Sequence, residues 1–246
     1  GPSAASLGPP GTVYVGSRGD FSVCAVDEIK LARGTCTKLD SMPDGVAYVA
    51  PTNEVWVTAP QDNSIRILDA TTLKQKARLP FDGQPEGYAP DATRGRFYTN
   101  LEDKDTTIAI DLASHETVAT WKTGCGEDGG HGIVLAERDG FLIVGCSARV
   151  VVLDVGHDGA SIGSLDTGDG VDNVDYAPAT RTVYAAAASA ASLTVGSLAA
   201  SGSLSPLARV PTAKGARNGV VTSTGAVYIA HSSGSEILVV APEPED

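Results

Sequence analysis

Laid on one another without a gap, Asp172-Asn-Val-Asp-Tyr-Ala-Pro-Ala-Thr-Arg-Thr-Val-Tyr-Ala185 and Asp44-Gly-Val-Ala-Tyr-Val-Ala-Pro-Thr-Asn-Glu-Val-Trp-Val57 match Asp with Asp, Tyr176 with Tyr48 and Tyr184 with Trp56. Glu86-Gly-Tyr-Ala-Pro-Asp-Ala-Thr-Arg-Gly-Arg-Phe-Tyr-Thr99 takes the same frame, and His131-Gly-Ile-Val and Asn218-Gly-Val-Val open two further copies. The openings are 42, 45, 41 and 46 residues apart. A period in the forties, built on short alternating apolar runs with no amphipathic helical period of useful length, is the signature of β-propeller blades.

Each repeat reads as four strands: an inner one after the opening, a second ending in an aromatic or aliphatic run, a third closing on Asp, and an outer fourth. In the second repeat these fall at 45–50, 54–58, 64–69 and 73–79. The pairs Leu68-Asp69, Ile110-Asp111 and Leu153-Asp154 place a carboxylate where it accepts from the amides of the next turn. Residues 1–10, small and with three prolines, read as a disordered tail, 11–241 as the propeller, and 242–246 as an acidic tail. The first repeat then lacks an inner strand and the last an outer one. The expected fold class is therefore all-β, a single β-propeller of six blades of mostly four antiparallel strands with an imperfect seam. A truncated larger ring, or five sheets plus a hairpin, stays open.

The chain also resembles the YVTN-type β-propeller family of secreted or periplasmic repeat proteins. The resemblance is carried by Tyr98-Thr-Asn-Leu-Glu-Asp-Lys104, Gly168-Asp-Gly-Val-Asp172, Tyr176-Ala-Pro178 and Val210-Pro-Thr-Ala-Lys-Gly-Ala-Arg217, and it extends from about residue 43 to 240. It implies the fold and an extracytoplasmic setting, and little about activity, because a propeller supports many unrelated tasks.

The net charge of −12, from 30 acidic and 18 basic residues, argues against nucleic acid and anionic membranes as partners. Cations, cationic ligands or a basic protein patch suit that field better, although a solvated acidic surface explains it too. No apolar run is long enough to span a bilayer, so no membrane insertion is expected, and a monomer is. The chain opens Gly1-Pro2, as a processed or tagged chain does, and a targeting segment is expected to have been removed. Cys24 and Cys36 lie symmetrically about Lys30, the tip of a hairpin, and Cys125 and Cys146 reach one rim. Two disulfides and an oxidising compartment follow, with reduced buried thiols as the other reading.

Asp44, Glu86, His131, Asp172 and Asn218 occupy equivalent positions at the start of five inner strands, and in a propeller such positions ring one mouth of the channel. Three carboxylates, an imidazole and an amide suit a divalent cation, with calcium, manganese or zinc the expected metals. The set is similar to that of the calcium-centred gluconolactonase, paraoxonase and senescence-marker propellers, whose metal rests on Glu, Asn and Asp, with His131 as the departure. A small-ligand mouth without metal, or solvated caps, would place the same residues there. Hairpin counting sets Gln61 opposite Asp44, Glu102 and Asp103 opposite Glu86, His131 opposite Cys146, and Asn218 opposite His231. Gln61, Glu102 and Asp103 are thus candidate ligand-binding residues.

The expected function is a secreted propeller that binds a small molecule or protein partner at the channel face, with a metal as its one candidate cofactor. The alternative is a metal-dependent lactonase or esterase, in which Asp44, Glu86, Asp172 and Asn218 hold the ion, His131 assists and His231 is the general base. A third class is a pure protein-interaction platform. Other motifs carry less. Gly124-Cys-Gly-Glu-Asp-Gly-Gly130 leads into no helix, and Asp166-Thr-Gly168 has no second lobe. His115 and His157 fall in turns and are expected to lack partners. No serine has the glycine flanks of a nucleophile elbow. Tyr48, Tyr88, Tyr176 and Trp56 recur with the period as packing residues between sheets.

Overall fold

The computed structural model describes residues 1–242. Its strands, in chain order, are β1 Pro2–Leu7, β2 Thr12–Ser17, β3 Ser22–Asp27, β4 Ala32–Lys38, β5 Val46–Val49, β6 Glu54–Ala59, β7 Ser64–Asp69 and β8 Gln75–Pro80. They continue as β9 Pro85–Asp91, β10 Arg96–Leu101, β11 Thr106–Asp111, β12 Thr117–Lys122, β13 Ile133–Ala136, β14 Phe141–Gly145, β15 Arg149–Asp154 and β16 Ala160–Asp166. The remainder are β17 Val171–Ala177, β18 Thr182–Ala187, β19 Ser192–Leu198, β20 Leu204–Pro211, β21 Arg217–Val221, β22 Val227–His231 and β23 Glu236–Val240. They form five four-stranded antiparallel meanders and a three-stranded one, β21-β22-β23. The chain divides into two compact units, Gly1–Thr120 and Trp121–Asp246, with the division inside β12.

In the first unit, β1 to β4 form a complete sheet, so the expected tail at residues 1–10 is corrected: Pro2–Leu7 pairs with β2. Small residues hid it, because Ala4 and Ser6 carry no apolar alternation to read. Ala4 nonetheless packs against the core cluster that contains Tyr14, Val23 and Val46, and the Ser6 Oγ accepts from the Tyr48 N–H at 2.9 Å. Aromatics stack between sheets, Trp56 of β6 lying 4.6 Å from Phe97 of β10 by ring centroid and Tyr14 of β2 lying 5.8 Å from Tyr48 of β5. Within the β9–β12 sheet, Phe97 lies 5.9 Å from Tyr88. Two buried charged groups tie the strands. Glu54, 2% exposed, accepts from Lys76 Nζ at 2.5 Å, Thr52 Oγ1 at 2.9 Å and Trp56 Nε1 at 3.0 Å. Arg66, fully buried, donates to Asp40 at 2.7 Å, to Asp62 at 2.5 Å and to Ser64.

In the second unit, the core gathers Phe141, Ile143, Val150, Val152, Tyr176 and Val183 from two neighbouring sheets. Leu193, Val227 and Ile229 carry it on to β21-β22-β23. That last sheet lacks an outer strand among the described residues, which leaves Ile237 and Val239 of β23 exposed. Of the expected acidic tail, residues 243–246 lie outside the described residues.

Both expected disulfides are present. Cys24 and Cys36 are register partners on β3 and β4, with Cα atoms 4.0 Å apart. Cys125–Cys146, at 5.2 Å, ties the glycine-rich loop before β13 to the end of β14.

Candidate functional site

All five repeat openings share one backbone device: two residues of the inner strand face one residue of the second strand. Asp44 N donates to Thr58 O while Thr58 N donates to Gly45 O, at 2.8 and 3.0 Å. His131, Gly132 and Gly145 repeat this at 2.8 and 2.9 Å. Glu86–Gly87, Asp172–Asn173 and Asn218 fall where the registers of β9, β17 and β21 shift. Bulges of this kind turn a side chain away from the pleat and gather at functional edges. Asn218 takes a left-handed conformation there, at φ 61°.

Within the first unit, the carboxylates of Glu86 and Glu102 approach within 4.8 Å, both half-buried. Glu102 reaches this position because the tight turn after β10 hydrogen-bonds back to the strand entrance, Glu102 N to Gln84 O at 3.0 Å. Asp103 serves the same clamp, its Oδ1 accepting from Gln84 N at 2.7 Å, and Gln61 stands exposed in the turn Pro60–Asp62. Asp44 forms an ion pair with Arg18 from the β2–β3 turn. The β5 and β9 openings lie side by side, the Tyr88 hydroxyl donating to Val46 O at 2.6 Å.

Within the second unit, the three openings are contiguous. Gly132 N donates to Asp172 O at 2.8 Å, and a Cβ at Gly132 would lie 2.5 Å from the Asn173 Cα, so only glycine permits the approach. Asp172 in turn pairs with Arg217 at 3.0 Å, the residue immediately before Asn218. One layer in, Asp175 accepts from Val221 N at 2.7 Å, and burial pushes its carboxyl above the usual range despite that bond.

Four expectations of side-chain contact need correction. His131 and Gly132 together face Gly145, so the bulge displaces His131 from Cys146. Asn218, exposed, sits between the partners of Ala230 and Ile229, so the bulge displaces it from His231. His231 is instead bonded to Glu236 at 2.9 Å and Ser233 at 3.0 Å. His115 has a partner, Glu54 at 3.3 Å, and meets Trp56 edge-on, while His157 pairs with Asp154 at 2.8 Å. Arg18, Arg217, Ser233 and Glu236 were missed. Arg217 alone carried a signal, a cation directly abutting a repeat opening.

The comparisons with known proteins bear on the fold. No family model matches the chain, and no curated protein matches it. Among solved structures it is similar to a chain of the mitotic checkpoint complex, at 13% identity and TM-score 0.76, covering 92% of this chain and 72% of that one. A chain of Kuenenia stuttgartiensis hydrazine synthase matches at 15% identity and TM-score 0.80, covering 98% and 83%. The β-propeller domain of Myceliophteria thermophila Cps50 (Swd1) matches at 10% identity and TM-score 0.81, covering 98% and 84%. At such identities the likeness extends to the fold alone, and that fold is a six-bladed, all-β propeller.

Proposed function

We propose that this chain is a secreted or periplasmic binding protein that recognises cationic ligands at its bulged inner-strand openings. The carrying observation is the Glu86–Glu102 pair, two carboxylates within 4.8 Å of one another on a chain of net charge −12. Like charges at that separation favour a cation between or beside them. Two other openings, one in each unit, support the reading, since Asp44 and Asp172 are each matched to a guanidinium. Carboxylate donors of this kind suit calcium or manganese, and zinc with imidazole help. The two disulfides and the YVTN-type resemblance support an oxidising, extracytoplasmic setting. Among the described residues no helix is long and apolar enough to cross a membrane.

Thermal melts with added calcium, manganese or zinc chloride test the proposal. At least one ion is expected to raise Tm in the native protein and not in Glu86→Gln or Glu102→Gln. At a hundredfold excess over Kd the gain is about 2.7 kcal/mol. Equal shifts in the native protein and both variants, or none with any ion, would sink it.

A further inference from the structure

The turn joining β22 to β23 contains a side-chain relay. His231 ends β22 and is the register partner of Glu236, the first residue of β23, across the tight turn Ser232–Gly234. Its Nδ1 lies 2.9 Å from Glu236 Oε1, and its Nε2 lies 3.0 Å from Ser233 Oγ. An ionised carboxylate only accepts, so Nδ1 carries the proton of the neutral ring. Nε2 is then left to accept from the serine hydroxyl. Nucleophile, base and orienting acid thus stand in the order that activates a serine for attack.

Two further observations fit that use. A Cβ at Gly234 would stand 2.5 Å from His231 Nδ1 and 2.8 Å from Glu236 Oε1, so the turn is shaped around the relay. His231 is sheltered, its side chain 13% exposed, whereas Ser233 is open to solvent. Beside His231 and Glu236 lies a shallow depression of about 300 Å³, lined by these two with Ala230, Ser232, Ser235 and Ile237, and not by Ser233 itself. Ile237 gives this hollow an apolar wall, and Glu236 gives it a negative edge.

We propose that Ser233, His231 and Glu236 form a serine-dependent acyl-transfer site for small, neutral or cationic carboxylic esters. Ser233 Oγ adds to the ester carbonyl carbon as its proton passes to His231 Nε2. The bond to the alcohol oxygen breaks, and that oxygen leaves with the Nε2 proton. Water then adds to the acyl-Ser233 carbonyl, giving a proton to Nε2. Cleavage of the Oγ–acyl bond returns that proton to the serine and releases the acid. Ester and water become acid and alcohol, and no other reactant is consumed. Glu236 holds the imidazole in the productive tautomer. An open hollow with one apolar wall suits a short acyl chain, and the acidic field disfavours anionic esters.

The test uses the full chain with EDTA present throughout, so that its outcome is independent of cation binding at Glu86 and Glu102. A fluorophosphonate probe, mapped by mass spectrometry, is expected to modify Ser233. Hydrolysis of p-nitrophenyl acetate is expected to fall roughly a hundredfold in Ser233→Ala and in His231→Gln. Tm should be unchanged in Ser233→Ala, because that side chain is exposed. Gly234→Ala should lower the rate by crowding the ring, and Glu236→Gln should lower it and move the pH profile. Absence of label on Ser233, or hydrolysis unchanged in Ser233→Ala, would overturn the proposal.

Discussion

Asp27, Asp69 and Asp111 each end a third strand, and each receives two amide N–H groups from the turn that follows. The bonds are 2.8 and 3.0 Å at Asp27, 2.8 and 3.1 Å at Asp69, and 3.0 Å twice at Asp111. These bonds, the Lys30, Thr72 and Ser114 amides foremost, hold all three carboxyls below the usual range. A depressed pKa contributes stability that is present above the unfolded-state value and lost as pH falls through the folded one. Urea melts from about pH 6 down to about pH 3 should therefore show a loss of stability that is shallower in the Asp69→Asn, Asp111→Asn double variant. An unchanged slope would remove the turns from the acid limb. For Asp69 and Asp111 this much was legible in the sequence, because an Asx turn is decided within four residues. Glu54 was not. Burial raises its carboxyl, but bonds from Lys76, Trp56 and Thr52 outweigh that and leave it lowered, and Lys76, on β8, reaches it only once the strands pair.

Among the elements, the β3–β4 hairpin is the one whose covalent tie followed from symmetry about its tip, which put Cys24 opposite Cys36. Closing a loop of this length contributes about 3 kcal/mol on a chain-entropy account. Cys24→Ser, Cys36→Ser should lower Tm by about 2–4 °C for each kcal/mol. A shift under about 1 °C, read in the same melts, would mean that the paired strands already hold the ends. The inner strands were harder. β1 went unseen for want of alternation, and the bulges at Glu86, Asp172 and Asn218 shift the register by one residue. A one-residue slip changes which side chains face each other, which is why His231 was set against Asn218 and found against Ser233 and Glu236.

For the whole molecule, net charge −12 sets self-repulsion against local pairs such as Arg18–Asp44 and Arg217–Asp172. Exposed pairs contribute little, so repulsion should dominate. Tm is expected to rise as ionic strength goes from about 0.01 M to about 0.15 M, where the screening length shrinks from about 30 to about 8 Å. A fall would show instead that the ion pairs dominate. The repeat period, the turn chemistry and the equivalence of the five openings are properties of short stretches repeated along the chain, and the residues alone carried them to a six-sheet propeller. The partners of the opening carboxylates were decided by register and by the packing of successive sheets, which are non-local, and a bulge of one residue is enough to redirect them. The Ser233–His231–Glu236 relay is local, but its ring-to-carboxylate contact exists only once the tight turn sets His231 against Glu236.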